Sequence, residues 1–391
     1  MTTPRFSRTE IVDTASLAAA TETVSKHHSI RQPVVIVGTG LLGTSIGLGL
    51  RAAGIEVLLS DPSPSAQAVA EDIGAGRGLS DADQPGTVVV AAPPDVTGEE
   101  IIQALQRWPE AIVLDIASVK TAIAREVDRA VETGRISAED TLRYIGTHPM
   151  AGRERSGPVA ARGELFTAAP WVLCIHSETP RHVIHVASDV ARLLGATIYH
   201  MSPEEHDAAV AQISHVPQIA ASLLASRLQG TSAQALQLAG NGLRDTTRIA
   251  ASDPSLWVQI LTANAEQILP ELHGMKADLD RLINTLSNPT ASGARLDVAQ
   301  LMDEGNRGQA RIPGKHGGPA QGFAVVTVLV DDTPGAIVSA LQAVADAGVN
   351  VEDLRMEHSS GYQVGMLEIS VVPGHKKHLV DSLTDLGWKV L

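Results

Sequence analysis

Val34-Val35-Ile36-Val37 runs straight into Gly38-Thr39-Gly40-Leu41-Leu42-Gly43 and then into the helix-compatible stretch TSIGLGLRAAG. No other feature of the chain narrows its possible folds as much. An unbroken β-branched run suits a parallel strand buried on both faces. In a strand–turn–helix of this kind the three glycines have separate tasks. The first permits the tight turn, the second lets a pyrophosphate approach the backbone, and the third lets helix and strand pack closely. The helix start around Gly40, Leu41, Leu42 and Gly43 then offers free N–H groups and a positive dipole end to phosphates. The alternative is a glycine-rich turn with no ligand. A second strand, IEVLLSD, favours the ligand: it ends at Asp61, about 20 residues on, where this fold places a ribose-binding acid. Asp61 also opens the turn-forming run DPSPS, and the two roles are compatible. No Arg follows it closely. Its carboxylate would repel a 2′-phosphate, so NAD is the expected cofactor.

At 391 residues the chain is long enough for two or three domains. Aromatic residues make up only 3% against 44% hydrophobic residues in all, so aliphatic and alanine packing must build the cores. The net charge of −14 argues against nucleic acid or an anionic membrane as a main partner. An anionic substrate must then be held by local cations. The single cysteine, Cys174 in WVLCI, reads as a small buried hydrophobe and excludes an internal disulfide framework. The fourteen histidines are scattered and HMSPEEH has the wrong spacing for a zinc helix, so no metal site is expected. Residues 1–30 are polar and of mixed charge, fitting neither a signal peptide nor a membrane span. A mobile tail over residues 1–32 of a cytoplasmic protein is the expectation.

The strand–helix rhythm continues through TVVVAAPPD, AIVLDIASVK, LRYIGTHPMAG, APWVLCIHS and TIYHM, closing an α/β domain of doubly wound type over residues 33–202. The texture then changes. Ser202, Pro203 and Glu205 form a capping-box pattern, and helical patterns follow to about residue 305 as an all-helical second domain. Pro217, inside such a pattern, should kink it, with His215 available to satisfy freed carbonyls. Residues 306–322 are rich in Gly and Pro and read as a linker. Residues 323–391 return to a βαββαβ order, the ferredoxin-like plan.

In a doubly wound sheet, ligands bind outside the carboxyl ends of the strands. Three polar loops fall there: residues 91–95, 115–120 and 146–155. The second contains Ser118 and Lys120. The third contains His148, held extended by Pro149. A histidine at a strand end beside a cofactor crevice is either a base working near neutral pH or a hydrogen-bonded structural residue. In GNGLRDTTRIAASDP, Arg244 and Arg248 stand four apart, on one face of a helix. They form either a solvated face beside Asp245 and Asp253 or a clamp for the carboxylates of a small diacid. ISHVPQ adds His215 and Gln218.

GTGLLGTS, DIASVK, GTHPMAGRERSG, SPEEHDAAVAQISHVP and GNGLRDTTRIAASDPSLW occur in one order, and together they resemble the prephenate/arogenate dehydrogenase family of tyrosine biosynthesis over roughly residues 33–290. Residues 323–391, with DDTPGAIVSALQAVADAGVNVEDL, resemble an ACT domain, a small amino-acid-binding regulatory module. The resemblance implies oxidative decarboxylation of prephenate to 4-hydroxyphenylpyruvate, with release of CO2 and reduction of NAD. It implies His148 as the acceptor of the ring hydroxyl's proton and Ser118 as the group orienting that hydroxyl. Arg248 is implied to bind a substrate carboxylate, Glu154 to join the pocket's polar network, and Arg244 to be a weaker candidate. Some members carry a second histidine where this chain has Gln218, facing the substrate side chain. Gln hydrogen-bonds but cannot become cationic, which leaves prephenate and arogenate both open. A homodimer through the helical domain is implied as well. So is an aromatic amino-acid effector, tyrosine being the economical choice, near Asp331, Gly335 and Asn350. A hydroxyacid dehydrogenase fits the architecture but not the pairing of His148 with Arg248. A sensor of NAD and amino acids without catalysis would require a defective site.

Overall fold

A computed structural model of the chain describes residues 28–151, 157–314, 322–358 and 364–391. They fall into two compact units, one ending at Ala277 and the other beginning at Asp278. The boundary lies inside the helix Ala265–Ser287.

The first unit is built on an eight-stranded sheet. Its strands are β1 (Val34–Val37), β2 (Val57–Ser60), β3 (Arg77–Gly78), β4 (Thr87–Val90), β5 (Ile112–Asp115), β6 (Tyr144–Pro149), β7 (Pro170–Cys174) and β8 (Thr197–Met201). The spatial order is β3-β2-β1-β4-β5-β6-β7-β8. Neighbours from β3 to β6 are parallel, β7 runs antiparallel to β6, and β8 is parallel to β7. The first six strands thus have the 3-2-1-4-5-6 arrangement of dinucleotide-binding sheets. Alternation along β1 feeds two cores. Val34 and Ile36 join one with Ile46, Leu50 and Val186, while Val35 joins the other with Ile102 and Ile123. Helices therefore cover both faces. The register aligns Val37 with Val90 and Val90 with Asp115, so the loops after β1, β4 and β5 open along one edge. Residues 1–27 of the expected tail lie outside the described residues. Residues 28–32 are packed onto this unit: Ile30 is in the core, and the Ser29 N–H donates to Asp189 at 2.7 Å.

After β8 the capping box forms as its residues predict. Ser202 Oγ accepts from the Glu205 N–H at 3.1 Å, and Glu205 returns a carboxylate to the Ser202 N–H at 2.9 Å. The helix Pro203–Val210 passes into a π-helical turn, Ala211–His215, before Val216–Arg227. This corrects the expected kink. The wider turn comes just before Pro217, which sits in the first turn of the next helix, where a missing N–H is tolerated. Among the described residues His215 accordingly bonds no freed carbonyl; its Nδ1 pairs with Asn264 Nδ2 at 3.0 Å. The whole run Pro203–Gly230 is long and apolar enough, by composition alone, to cross a membrane. It also carries the buried polar groups His206, Asp207, His215 and Gln218.

The second unit holds the end of the long helix, the helix Ala294–Gln309, and a four-stranded antiparallel sheet. Its strands β9 (Ala324–Asp331), β10 (Asp353–His358), β11 (Val364–Val371) and β12 (Lys389–Val390) lie in the order β10-β11-β9-β12. Val326, Val328 and Val330 of β9 pack with Leu367 and Ile369 of β11 beneath the helices Ala336–Asp346 and Lys376–Asp385. The chain order is βαββαβ. Helix Ala294–Gln309 runs into the stretch read as a linker, aided by an Arg307–Asp303 pair at 3.1 Å one turn apart.

Candidate active site

At the β1 turn, Gly38 has φ +100°, and a β-carbon there would lie 2.5 Å from the Ala91 carbonyl oxygen of the β4 loop. The turn can only be glycine. Gly40 differs: a β-carbon there would meet nothing within 4 Å, so packing within the protein does not demand a glycine at this point. An incoming phosphate group does. Gly40 caps the helix Leu41–Ala52 without any side-chain hydrogen bond, leaving first-turn N–H groups for a ligand. Asp61 Oδ2 accepts from the Thr39 N–H at 2.6 Å and the Thr39 hydroxyl at 2.9 Å, and Oδ1 accepts from the Ser63 N–H at 2.8 Å. The carboxylate thus braces the glycine turn from the end of β2. These residues fit a dinucleotide.

Two strands along, β5 ends in a buried ion pair. Lys120 Nζ meets Asp115 Oδ1 and donates to the Thr147 carbonyl at 2.7 Å. Asp115 also accepts from the Ala117 N–H at 2.9 Å and the Tyr144 hydroxyl at 2.8 Å. Both charges are fully buried, and the pair folds residues 116–120 back over the strand end. Ser118, half-buried, sits on that loop. The same lysine fixes the backbone beside His148, near the end of β6.

His148 is half-buried, and its Nδ1 lies 2.8 Å from Nε2 of His206. The rings meet edge to face at 5.0 Å between centroids. His206 Nδ1 is in turn 2.8 Å from Asp207 Oδ1. Asp207 accepts from the N–H groups of Lys120 at 2.9 Å and Thr121 at 2.8 Å, joining the first helix after β8 to the loop that carries Ser118. Burial, then the proximity of His206 and Lys120, pushes the pKa of His148 well below the ordinary histidine range. It is neutral at pH 7. Cys174 is buried, and burial pushes its thiol up to about 12, as its apolar run leads one to expect.

Gln218 is buried and donates to Ser252 Oγ at 2.7 Å; its helix packs against residues 248–250. Arg244 and Arg248 are exposed. They do not share one regular helix, because Asn241–Thr247 ends before Arg248, which opens a 3-10 turn. Asp253 is occupied as the N-cap of Pro254–Ala263. Glu154 lies outside the described residues. Among the described residues no His, Cys, Asp and Glu cluster is suited to a metal. The buried His206–Asp207 pair was not expected from the sequence. Its one sequence signal is the HD that follows the capping box, which fixes the direction of the first turn.

A dinucleotide turn and a neutral histidine on the carboxyl edge of one doubly wound sheet define a nicotinamide-dependent oxidoreductase. Comparison with known proteins narrows this. Residues 46–200 match the model of the prephenate dehydrogenase nucleotide-binding domain, and residues 202–302 that of the prephenate dehydrogenase dimerization domain. The chain is 34% identical over 361 residues to a protein from Streptomyces niveus described as probable prephenate dehydrogenase NovF, covering 90% of this chain and 98% of that one. A crystal structure of prephenate dehydrogenase from A. aeolicus in complex with hydroxyphenyl propionate and NAD+ is 25% identical with a TM-score of 0.60, covering 71% of this chain and 98% of that one. Synechocystis arogenate dehydrogenase is 29% identical with a TM-score of 0.57, covering 71% and 99%. The chain belongs to the prephenate dehydrogenase family of NAD-dependent oxidoreductases.

Proposed function

We propose that this protein oxidatively decarboxylates prephenate to 4-hydroxyphenylpyruvate with His148 as the base. The observation that carries the assignment is the neutral, half-exposed His148 imidazole, held from behind, on the sheet edge that also bears the glycine turn. Bound at Gly38, Gly40, Leu41, Leu42, Gly43 and Asp61, NAD supplies the hydride acceptor. The chain's own residues do the rest. His148 takes the proton of the ring hydroxyl as the carbon bearing it gives up hydride, and Ser118 orients that hydroxyl. Loss of the ring carboxylate as CO2 restores aromaticity and drives the reaction. Arg248 holds a substrate carboxylate, Arg244 is the weaker candidate for that task, and Glu154 is assigned to the polar network of the pocket. Gln218 faces the substrate side chain, its amide N–H held by Ser252 and its carbonyl left as acceptor. Arogenate is the second reading, supported by the likeness to an arogenate dehydrogenase.

The active form is proposed as a cytoplasmic homodimer. In the first unit Ile213, Leu223, Val258 and Leu269 stand exposed on helices, and in the second Leu279, Ile283, Leu286 and Leu296 do. Rows of this kind are covered by a second copy. Residues 323–391 are assigned as an ACT module. Gly335 (φ +90°) opens the helix after β9, and Asn350 is exposed before β10. Together with Asp331 they would receive an aromatic amino acid, tyrosine first. Steady-state rates with prephenate and arogenate, each with NAD and NADP, test the assignment. Turnover of prephenate with NAD is expected to dominate, and turnover of arogenate alone would overturn it.

A further inference from the structure

Asp207, His206 and His148 are joined in sequence by two contacts of 2.8 Å. The order of protons along them follows from the carboxylate end. Asp207 is deprotonated: burial would raise its pKa, but hydrogen bonds from His206 and Thr121 outweigh that and hold it below the usual carboxylate range. A carboxylate accepts only, so His206 presents Nδ1–H to it and is left with Nε2 as an acceptor. That acceptor selects the His148 tautomer with its proton on Nδ1. Nε2 of His148 has no hydrogen-bond partner among the described residues, and it is not among their buried orphan atoms. Its lone pair is left to accept a proton.

Resting on the reading of His148 as base, we propose that His206 and Asp207 are positioning residues that fix this tautomer and carry the proton His148 receives. As the substrate hydroxyl's proton bonds to Nε2, the Nδ1–H bond of His148 breaks and its proton bonds to Nε2 of His206. The positive charge comes to rest beside Asp207 and returns by the reverse path when product leaves. The surroundings favour that resting place. Lys120 opposes a cation on His148. Asp115, the other nearby carboxylate, is already engaged by Lys120 and by the Tyr144 hydroxyl. Among the described residues Asp207 meets no cationic side chain besides His206 and accepts from the neutral N–H groups of Lys120 and Thr121. A carboxylate behind a base histidine serves the same orienting purpose in unrelated hydrolases.

The test uses the full-length protein with NAD and prephenate, and four variants: His206→Leu, His206→Gln, Asp207→Asn and His148→Asn. His206→Leu removes the acceptor and should lower kcat by about 10- to 100-fold, the usual cost of losing such a supporting group, with the KM for NAD unchanged. His206→Gln keeps an acceptor for Nδ1–H and should recover most of that loss. Asp207→Asn removes the counter-charge and should move the acid limb of the kcat/KM profile to lower pH by about one unit, as should His206→Gln. Asn retains an oxygen for the Thr121 N–H, and NAD binding by calorimetry reports folding in every variant. If the acid limb stays in place in both Asp207→Asn and His206→Gln, the chain carries no proton and the proposal falls. Wild-type kcat in folded His206→Leu would also overturn it. Should His206→Leu fail to fold, the two pH profiles decide. Wild-type turnover in His148→Asn overturns the base assignment instead, a separate outcome.

Discussion

A β-carbon on Gly43 would lie 2.0 Å from the Gly38 carbonyl oxygen and 2.9 Å from the Ala91 β-carbon, whereas one on Gly40 would touch nothing. The two glycines are one turn's width apart, yet they answer to different partners: Gly43 to the protein and Gly40 to the ligand. Gly43→Ala forces backbone apart and should cost about 1–3 kcal/mol of stability, the range for overpacking. Gly40→Ala should leave the denaturation midpoint near wild type and weaken NAD. Urea titration and calorimetry on both variants check this, and equal effects on both measurements would contradict it. Histidine burial has its own consequence at this scale. Burial lowers the pKa of His215 to about 4, against about 6.5 in an unfolded chain. Between those values the unfolded state binds more protons, so stability is complete above about pH 6.5 and is lost as pH falls towards 4. His148 is shifted the same way and steepens the loss. Urea midpoints at pH 7.5, 6 and 5 should fall in that order, and His215→Gln should flatten the fall. An unchanged slope in the variant would remove His215 from the account.

Elements were legible in the sequence where their cause is local. The β1 turn and the Ser202 cap are each written within a few residues, and each forms as its residues predict. The cap is a measurable case: Ser202→Ala removes the acceptor for the Glu205 N–H and should cost about 1 kcal/mol. A lower urea midpoint with an unchanged slope would register that loss. Because the cap also aims the first turn that carries His206 and Asp207, kcat should fall with it. What the sequence did not disclose depends on distance along the chain. His206 reaches His148 across 58 residues, and the capping box reveals the helix start without revealing what its first turn faces. The π-helical turn before Pro217 was missed because proline signals only that a regular helix cannot pass. The four-residue spacing of Arg244 and Arg248 does not tell an α-helical end from a 3-10 turn. Ser118 and His148 were legible as a pair of strand-end loops, but the buried Asp115–Lys120 pair that shapes both loops reads in sequence as two ordinary charged residues.

At the scale of the whole molecule the two family matches end at residue 302, while the second sheet occupies residues 324–390. That sheet has its own core: Val326, Val328, Val330, Ile369, Val371, Leu379 and Leu383 form a cluster with no member from the first unit. A module that buries its own apolar faces does not need the dehydrogenase in order to fold, nor the dehydrogenase the module. The role proposed for it is regulatory. An effector bound there changes turnover only through a difference in affinity between two arrangements of the protein. Deleting residues 311–391 should therefore leave a folded enzyme with NAD-dependent turnover of prephenate. The truncated and full-length forms should differ in their response to tyrosine, phenylalanine and tryptophan. Light scattering belongs in the same experiment, because the proposed dimer is built through the helical segment and should survive the deletion at micromolar concentration. A monomer after truncation would move the dimer contact into the second sheet. Identical titration curves for the two forms would mean that the module does not sense these amino acids, and any inhibition by tyrosine would then be competition at the His148 site, where its phenol ring resembles the product.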